Sequence, residues 1–249
     1  MFINVSCLKK NMNAIVVLSG GLDSAVVAYK VKSLKPNKLK LIFFDYGQRA
    51  LEQEEFCVRK IGQELKAEVK KIDLKWLGEI STAMLNKEGE IPETKTEEMG
   101  DVEREKKDIL TWWVPCRNAI FLLSALAHAE SEYLSKKERY DIYIGIKSEG
   151  KIPMKDTTPK FLQKINELAE EATNDGGYKI IAPYVEKDKV EIIKEGVKLK
   201  VPWQYTYSCY AGGKFEKGIP VHCGVCSNCM QRKKAFYWAN VNDPSIYKK

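Results

Sequence analysis

The sequence predicts an α/β protein with a doubly wound parallel sheet and a small zinc-binding subdomain at its C-terminus. Short apolar runs alternate with helical segments over residues 12–200, as in a chain of βαβ units. The first run ends at a Gly-Gly pair that precedes a helix, which favours a ligand-binding turn. Four clustered cysteines predict the zinc-binding part, which we place at residues 201–249 and expect to pack on the sheet domain.

Five short apolar runs are predicted to be the strands of the sheet. They are residues 14–18, 39–44, 67–74, 141–146 and 178–183. The predicted helices are residues 24–32, 50–66, 118–131, 160–174 and 187–198. The third run alternates apolar and polar residues, so we expect it at an edge of the sheet. Because ligands bind beyond the carboxyl ends of such strands, the loops after the first, second and fourth strands are expected to form the site.

Two stretches show no regular pattern. Residues 85–108 are polar and charged and contain Gly and Pro, so we expect a long surface loop, of a length that is often functional. Beyond Val201 the pattern is irregular and rich in aromatic residues, Gly and Cys. We expect these aromatic residues to pack the zinc-binding loop against the sheet domain, with stacking on nucleic-acid bases as the alternative.

The size and charge of the chain limit its function class. At 249 residues it suits one α/β domain with a small appendage. No apolar run approaches about 18 residues, and residues 1–11 lack the apolar stretch of a signal peptide, so we expect a cytoplasmic protein without a membrane partner. The net charge of +7 suits an anionic ligand or nucleic acid, although the lysines are spread along the chain as on solvated faces. The seven cysteines are an odd number, which argues against a disulfide framework.

The turn after the first strand has the composition of a phosphate-binding loop. Its residues are Leu18, Ser19, Gly20, Gly21, Leu22, Asp23 and Ser24. The glycines let the backbone approach a ligand closely, and the amide groups at the start of the next helix bind anions. The serines offer hydroxyl donors, and Asp23 either caps the helix or holds Mg²⁺ near the phosphates. The loop is neither a Walker A loop nor a dinucleotide fingerprint.

Four cysteines near the C-terminus have the spacing of a metal site. Cys209, Cys223, Cys226 and Cys229 follow the pattern C-x13-C-x2-C-x2-C. Four thiolates at such spacing suit tetrahedral Zn²⁺, and a site in which all four ligands are Cys is structural rather than catalytic. An iron–sulfur cluster is the alternative, although the Cys-Pro that follows bacterial cluster motifs is missing. His222 is a spare ligand candidate, which we expect on the surface beside Cys223.

Further segments complete a pattern that resembles one family. Residues 45–49 read DYGQR, residues 114–118 read VPCRN, and residues 207–210 read YSCY ahead of the cysteine motif and Arg232. Together with SGGLDS at residues 19–24, these motifs resemble the QueC family of 7-cyano-7-deazaguanine synthases, in the N-type ATP pyrophosphatase (PP-loop) superfamily. The resemblance runs from about residue 13 to about residue 238. It implies a Rossmann-like fold of the adenine nucleotide alpha hydrolase type, with residues 12–200 as the PP-loop domain.

The resemblance also implies an activity. The family converts 7-carboxy-7-deazaguanine, ammonia and ATP into the nitrile preQ0, a precursor of queuosine and archaeosine in tRNA. The carboxylate would attack ATP to form an acyl-adenylate, and ammonia would displace AMP to give an amide. A second activation, of the amide oxygen, would allow dehydration to the nitrile. The family further suggests a homodimer.

The same resemblance implies roles for individual residues. Residues 18–24 would bind the phosphates of ATP, with Asp23 in the catalytic set and Gln48 near the adenylation centre. Arg117 would neutralise charge on phosphate or carboxylate, for which its planar guanidinium is well suited. Asn118 would read an amide-like edge of the deazapurine, and Lys189 falls where the family carries a lysine. The alternatives are a polar loop residue for Gln48 and a solvated helix face for Lys189.

Two segments depart from the family pattern. Cys116 stands where Gly is expected, and the loop of residues 146–159 lacks an Asn/Asp-rich start and an Arg before Pro159. Because this loop is expected to contact the heterocycle, the alternative is another PP-loop adenylating ligase or tRNA-modifying enzyme that acts on a different acid or base. The sequence shows no dedicated RNA-binding module, so we expect no stable nucleic-acid partner, and it shows no glutaminase domain as an ammonia source.

Overall fold

The five predicted strands all form, and they pair in parallel in the order β3-β2-β1-β4-β5. The computed structural model describes residues 12–95, 97, 99, 101–148 and 150–248. The strands are β1 (Asn13–Val17), β2 (Lys38–Asp45), β3 (Glu68–Asp73), β4 (Tyr140–Ile144) and β5 (Ile180–Ile181). The predicted edge position of the third strand is confirmed. The strand order reverses between β1 and β4, so a ligand is expected at the carboxyl ends of these two strands.

Helices cover both faces of the sheet. They are α1 (Leu22–Ser33), α2 (Leu51–Leu65), α3 (Lys75–Ile80), α4 (Val102–Trp112), α5 (Arg117–Lys136), α6 (Pro159–Ala172), α7 (Lys189–Lys198) and α8 (Ser227–Ala239). One apolar core contains side chains of α1, α2, α7 and α8, and the other contains those of α5 and α6. Strand β1 contributes Val16 to the first core and Ile15 to the second. Burial on both faces explains the continuous apolar run of this strand and confirms the doubly wound arrangement.

The C-terminal segment forms a small sheet of β6 (Phe215–Glu216), β7 (Ile219–His222) and β8 (Ile246–Tyr247). It is joined to α8 by Arg232, whose side chain is fully buried. The Arg232 guanidinium donates from Nε to Asp243 Oδ2 at 3.0 Å and from Nη1 to Thr206 Oγ1 at 2.8 Å. One buried cation therefore connects α8, the segment before the cysteine motif and the segment before β8.

Three of the helices were not predicted, namely α3, α4 and α8. The expected loop of residues 85–108 is wrong in its last part, because α4 begins at Val102 after a side-chain cap in which Asp101 accepts the Arg104 N–H at 2.8 Å. Trp112 is the only residue of α4 that is buried, so the helix shows no broad apolar face. In α8 the buried positions include Cys229 and Arg232, which interrupt the apolar pattern on which the prediction depended.

Within the described residues, no single helix is long and apolar enough to cross a membrane. Helices α4 and α5 are long and apolar enough for a membrane span only when they are taken together, and the chain bends by 48° at the break between them. Core helices of soluble proteins meet the same criteria, and α5 packs Leu122, Ala125 and Ala129 into a core of this protein.

Candidate active site

A cavity of about 370 Å³ lies at the carboxyl ends of β1, β2 and β4, where the strand order reverses. Its wall contains the loop after each of these strands, part of α4, the start of α5 and residues from the C-terminal segment. All the predicted ATP-binding, catalytic and substrate-binding residues except Gly20 line it. The structure thus brings together side chains that are far apart in the sequence.

A set of hydrogen bonds holds the loop at residues 18–21 against the start of α1. Ser24 Oγ lies 3.0 Å from Ser19 Oγ and donates to the Gly21 carbonyl at 3.1 Å, and the Gly21 N–H donates to Ser19 Oγ at 3.3 Å. Gly20 has φ +78°, and a Cβ there would lie 2.6 Å from the carbonyl oxygen of Glu54. Both the backbone conformation and this contact require glycine. Residues 21–24, at the start of α1, line the cavity, and the backbone N–H groups at the start of a helix bind anions.

Asp23 does not cap the helix. The N-cap position of α1 is Gly21, and no side chain accepts a capping hydrogen bond there. Asp23 lines the cavity, and its buried Oδ1 has no hydrogen-bond partner among the described residues. A buried carboxylate oxygen without a donor is a suitable ligand for a hard cation, so of the two predicted roles only the second fits this geometry.

Gln48 is buried, and its side-chain amide is held by protein groups. Its Oε1 accepts the Tyr46 N–H at 2.9 Å, and its Nε2 donates to the Phe44 carbonyl at 3.0 Å and to Glu54 Oε2 at 2.9 Å. These bonds use the amide oxygen and both amide hydrogens. Gln48 therefore fixes the loop after β2 and orients the carboxylate of Glu54.

Glu54, in the first turn of α2, also lines the cavity and was not among the predicted site residues. Burial raises the pKa of its carboxyl to about 7, and the Gln48 hydrogen bond and the nearby Arg117 guanidinium offset only part of that rise. Glu54 lies in the predicted helix of residues 50–66, and no sequence motif assigned it a role. The available signal was its place one helical turn after the DYGQ loop, at the end of the sheet where site residues are expected.

Arg117 is the first residue of α5, and it follows Cys116, whose backbone is left-handed with φ +54°. Its guanidinium carbon lies 6.0 Å from the centre of the Tyr46 ring. Burial opposes its charge, but Tyr46, Asp156 and Tyr210 outweigh this effect and hold its pKa above the ordinary value. The cavity therefore contains a permanent positive charge beside aromatic rings.

The two other predicted binding residues also lie in the wall of the cavity. Asn118 is buried and donates from Nδ2 to the Asp156 carbonyl at 3.2 Å. Lys189 is buried, and its Nζ lies 3.4 Å from both Asn228 Oδ1 and Gln231 Oε1. Lys189 therefore does not occupy a solvated helix face.

Helix α4 closes one side of the cavity. Its Glu105, Asp108, Ile109 and Trp112 line the wall. Glu105 Oε2 accepts the N–H groups of Lys151 and Ile152 at 3.0 and 3.2 Å, so α4 is tied to the loop after β4. The segment expected to be a surface loop is thus part of the site.

The four cysteines converge at a separate point. Each offers a sulfur, and the four Sγ atoms lie within 4.8 Å of one another. The N–H groups of Ala211 and Cys223 donate to Cys209 Sγ at 3.4 and 3.3 Å, as expected for a sulfur that carries negative charge. This donor set fits a metal ion held by four thiolates. None of the four cysteines lines the cavity, so a metal bound there has no access to its contents.

His222 is not on the surface as expected. It is buried, and its Nε2 accepts the Ser208 N–H at 3.1 Å. Because Nε2 accepts this hydrogen bond, the proton of the neutral ring lies on Nδ1, so neither nitrogen has a free lone pair for a metal. In the described part of the chain, the ligand atoms that lie together are the sulfurs of the four cysteines.

Comparison with known proteins identifies the family to which this chain belongs. The family model described as queuosine biosynthesis protein QueC matches residues 13–240. The chain belongs to the QueC family.

Curated relatives cover almost the whole chain. A 7-cyano-7-deazaguanine synthase of Methanococcus maripaludis strain S2 is 38% identical over 95% of this chain and 99% of its own length. The 7-cyano-7-deazaguanine synthase of Methanothermobacter thermautotrophicus is 34% identical over 95% of this chain and 100% of its own length.

Among solved structures, an NMN synthetase from Francisella tularensis gives a TM-score of 0.41 at 13% identity, over 93% of this chain and 79% of that one. An NH3-dependent NAD synthetase from Campylobacter jejuni gives 0.40 at 16% identity, over 79% of this chain and 68% of that one. Similarities this low say nothing about the ligands of this chain.

The structure shows where the two departures from the QueC pattern lie, at Cys116 and in the loop of residues 146–159. Cys116 has an exposed side chain that does not line the cavity, so its thiol does not replace a group of the site. In the loop after β4, Lys147, Gly150, Ile152, Met154 and Thr157 line the wall. Asp156, in contrast, does not line the cavity, and its carboxylate interacts with the Arg117 guanidinium.

Proposed function

We propose that this protein is a 7-cyano-7-deazaguanine synthase, which makes preQ0 from 7-carboxy-7-deazaguanine, ammonia and ATP in the pathway to queuosine and archaeosine. Membership of the QueC family, with curated relatives that match over their full length, supports the reaction. One structural observation supports it further: the phosphate loop and Arg117 line the same cavity.

The cavity has suitable groups for both ends of the reaction. Ser19, Gly21 and Ser24 bind the phosphates of ATP at the start of α1, where backbone N–H groups favour negative charge. Asp23 holds Mg²⁺ through its unpaired oxygen. Arg117 receives the carboxylate of the substrate and stabilises negative charge on the α-phosphate oxygens during transfer.

The aromatic part of the cavity wall suits a flat heterocycle. Phe44 and Phe121 stack with ring centres 4.3 Å apart, and Tyr46 packs on Phe121 at 5.4 Å. All three rings line the cavity, which also contains Asn118 and Lys189 as polar groups. A deazapurine placed against these rings presents its edge to Asn118.

Catalysis proceeds through two activations. The acid first becomes an acyl-adenylate, which turns a poor leaving oxygen into a good one, and ammonia then displaces AMP to give the amide. Activation of the amide oxygen in the same way allows loss of a second AMP and formation of the nitrile. The site needs no chemistry from the metal held by the cysteines.

The remaining features follow from the same assignment. Cys209, Cys223, Cys226 and Cys229 hold one structural Zn²⁺, which stabilises the C-terminal segment. The boundary at residue 200 between a PP-loop domain and a zinc-binding subdomain stays a prediction, as do a homodimer and a cytoplasmic location.

One observation favours a second candidate. Among the described residues, the loop after β4, which departs from the family pattern, supplies seven residues of the cavity wall. A PP-loop ligase that adenylates a different acid or base would use the same phosphate loop with a changed loop at this position.

A single assay separates these candidates. The enzyme is incubated with ATP, Mg²⁺, ammonia and 7-carboxy-7-deazaguanine, and the products are identified by mass. We expect the nitrile with AMP and pyrophosphate. Release of ADP and phosphate would contradict cleavage between the α and β phosphates. Adenylation of another acid, with no binding or conversion of the carboxy-deazaguanine, would favour the second candidate.

A further inference from the structure

The proposed reaction places an unusual demand on one atom. Ammonia carries three N–H bonds and the nitrile nitrogen has none, so every one of these protons must leave the same nitrogen. An adenylating site that stops at an amide has to remove only one. A base close to the reacting carbon, able to accept and release protons near neutral pH, is therefore needed more than once in each turnover.

Among the described residues, four carboxylates line the cavity, and three of them are engaged or badly placed for this task. Glu105 accepts two backbone N–H groups of the loop after β4, at 3.0 and 3.2 Å. Asp108 Oδ1 accepts from Arg104 Nε at 3.2 Å. Asp23 belongs to the phosphate loop, where a carboxylate among phosphates holds a cation rather than a proton.

Glu54 is the fourth, and its surroundings suit a base. Its Oε2 is fixed by Gln48 at 2.9 Å, whereas no donor in the described part of the chain lies within hydrogen-bonding distance of Oε1. Its backbone carbonyl packs on Gly20, so the residue adjoins the phosphate loop. The side chain is half-buried, which leaves it a surface through which protons pass to water.

The charged and titratable groups that face Glu54 come from three elements. They are Tyr46 after β2, Arg117 at the start of α5, and Cys57 on α2 itself. Burial raises the pKa of Tyr46 to about 12 and that of Cys57 above its usual range, so both stay neutral at pH 7. Arg117 stays charged, so Glu54 is the group in this set that titrates near pH 7, where its own pKa lies.

We propose that Glu54 is the general base for the nitrogen of the substrate, an assignment that rests on the proposed function. It accepts a proton from the nitrogen after ammonia has added to the acyl-adenylate carbonyl, as the C–O bond to AMP breaks. It accepts a second as the amide oxygen bonds to the α-phosphorus of a second ATP and pyrophosphate leaves, and a third as the C–O bond to the second AMP breaks and the C≡N bond forms. After each transfer the proton passes to water, which restores the carboxylate.

The test starts from the amide, 7-carboxamide-7-deazaguanine, because this substrate removes the ionisation of ammonia from the pH profile. With ATP and Mg²⁺, nitrile formation by the wild-type enzyme is measured between pH 5.5 and 9. We expect kcat/KM to fall tenfold per pH unit below about 7, the pKa of Glu54. In Glu54→Gln we expect nitrile formation to fall about 100-fold or more, as for loss of a general base, and the fall at low pH to disappear.

Two comparisons make the result specific. Pyrophosphate exchange with 7-carboxy-7-deazaguanine reports the first adenylation, which removes no proton from nitrogen, so Glu54→Gln should lower nitrile formation at least tenfold more than it lowers exchange. Glu55→Gln is the matched control on the same helix, because Glu55 faces Lys71 and Arg59 outside the cavity, and its activity should equal that of the wild type.

The outcomes separate the two proposals. If the wild type makes no nitrile from either substrate, the proposed function is wrong and the role of Glu54 falls with it. If the wild type makes the nitrile but Glu54→Gln retains its rate within twofold, or keeps the same fall at low pH, the function stands and Glu54 is not the base. An equal loss in exchange and in nitrile formation would mean that Glu54 only supports the fold of the site.

Discussion

Replacing Asp243 tests whether the buried ion pair with Arg232 holds the C-terminal segment in place. Arg232 is completely buried and Asp243 is 11% exposed in its side chain, so Asp243→Asn leaves a guanidinium in the interior without its counter-charge. Loss of one partner of a buried pair costs about 3–5 kcal/mol, and because the Asn side-chain oxygen still accepts a hydrogen bond we expect the lower end of that range. For a chain of this length, about 3 kcal/mol corresponds to a fall in Tm of roughly 6–12 °C.

The assay is thermal and urea unfolding of the metal-bound protein, with Asp73→Asn as control. Asp73 makes an ion pair with Lys75, but both side chains are more than half exposed, so the control should leave the unfolding transition unchanged within error. A loss below about 1 kcal/mol in Asp243→Asn would refute the reasoning, because the buried charge would then have another source of stabilisation.

The pH dependence of the same pair has a definite sign. Burial raises the pKa of Asp243, but the Arg232 charge and hydrogen bonds from Arg232, Tyr247 and Ser245 outweigh it and hold the pKa below the ordinary value. The folded protein thus binds this proton more weakly than the unfolded chain. The ion pair contributes fully to the free energy of unfolding above the unfolded pKa of about 3.9. This contribution is lost as the pH falls through the lower pKa of the folded state. Asp243→Asn should lack this loss of stability in strong acid.

Four further predictions concern single positions. Cys116→Gly should raise the free energy of unfolding, measured in urea, by about 0.5–1 kcal/mol. The substitution removes the strain of a left-handed residue, about 1–2 kcal/mol, and adds a smaller entropic cost in the unfolded chain. Cys116→Ala keeps the strain and should show no gain. Gly145→Ala should lower kcat/KM for ATP at least about tenfold, since the added Cβ would lie 2.7 Å from the backbone of Ser24; an unchanged value would mean that the loop yields without disturbing the site. Arg117→Ala should lose more adenylation activity than Arg117→Lys, which keeps the charge, and equal losses would indicate that the guanidinium fork itself is needed. Cys229→Ser should lose the bound metal and the stability of the C-terminal segment, and metal analysis that finds iron with sulfide would contradict Zn²⁺.

The sequence was sufficient for the sheet because its strands are buried on both faces. Residues such as Ile15 and Val16 point into opposite cores, so β1 reads as one continuous apolar run with a clear end at the Gly-Gly pair. The cysteine cluster was equally predictable from the pattern C-x13-C-x2-C-x2-C, and the four sulfurs do lie within 4.8 Å of one another. In both cases the local pattern and the tertiary structure agree.

The same reasoning failed where tertiary contacts replace a local pattern. Helix α4 directs Ile109 and Asp108 at a cavity, so its inner face is mixed and its periodicity is weak. The role of Gln48 near the adenylation centre, which the family resemblance implies, stays a prediction. The hydrogen bond from Gln48 to Glu54, which orients a carboxylate at the cavity, was not predicted. That bond joins residues on a loop and a helix, and no spacing rule indicates it.

The cysteine cluster is connected to the loop at residues 18–21, although none of the four cysteines lines the cavity. The Tyr207 N–H donates to the Gly20 carbonyl at 2.8 Å, and Tyr207 lies two residues before the metal-ligand candidate Cys209. Tyr207 and Ser208 line the cavity before that cysteine, and Ser227 and Asn228 line it between Cys226 and Cys229. A metal ion that fixes the four sulfurs therefore also fixes both of these wall segments and one hydrogen bond of the phosphate loop. A structural metal site can be required for catalysis in this way, because the wall that it would stabilise belongs to the cavity in which we propose that the reaction takes place.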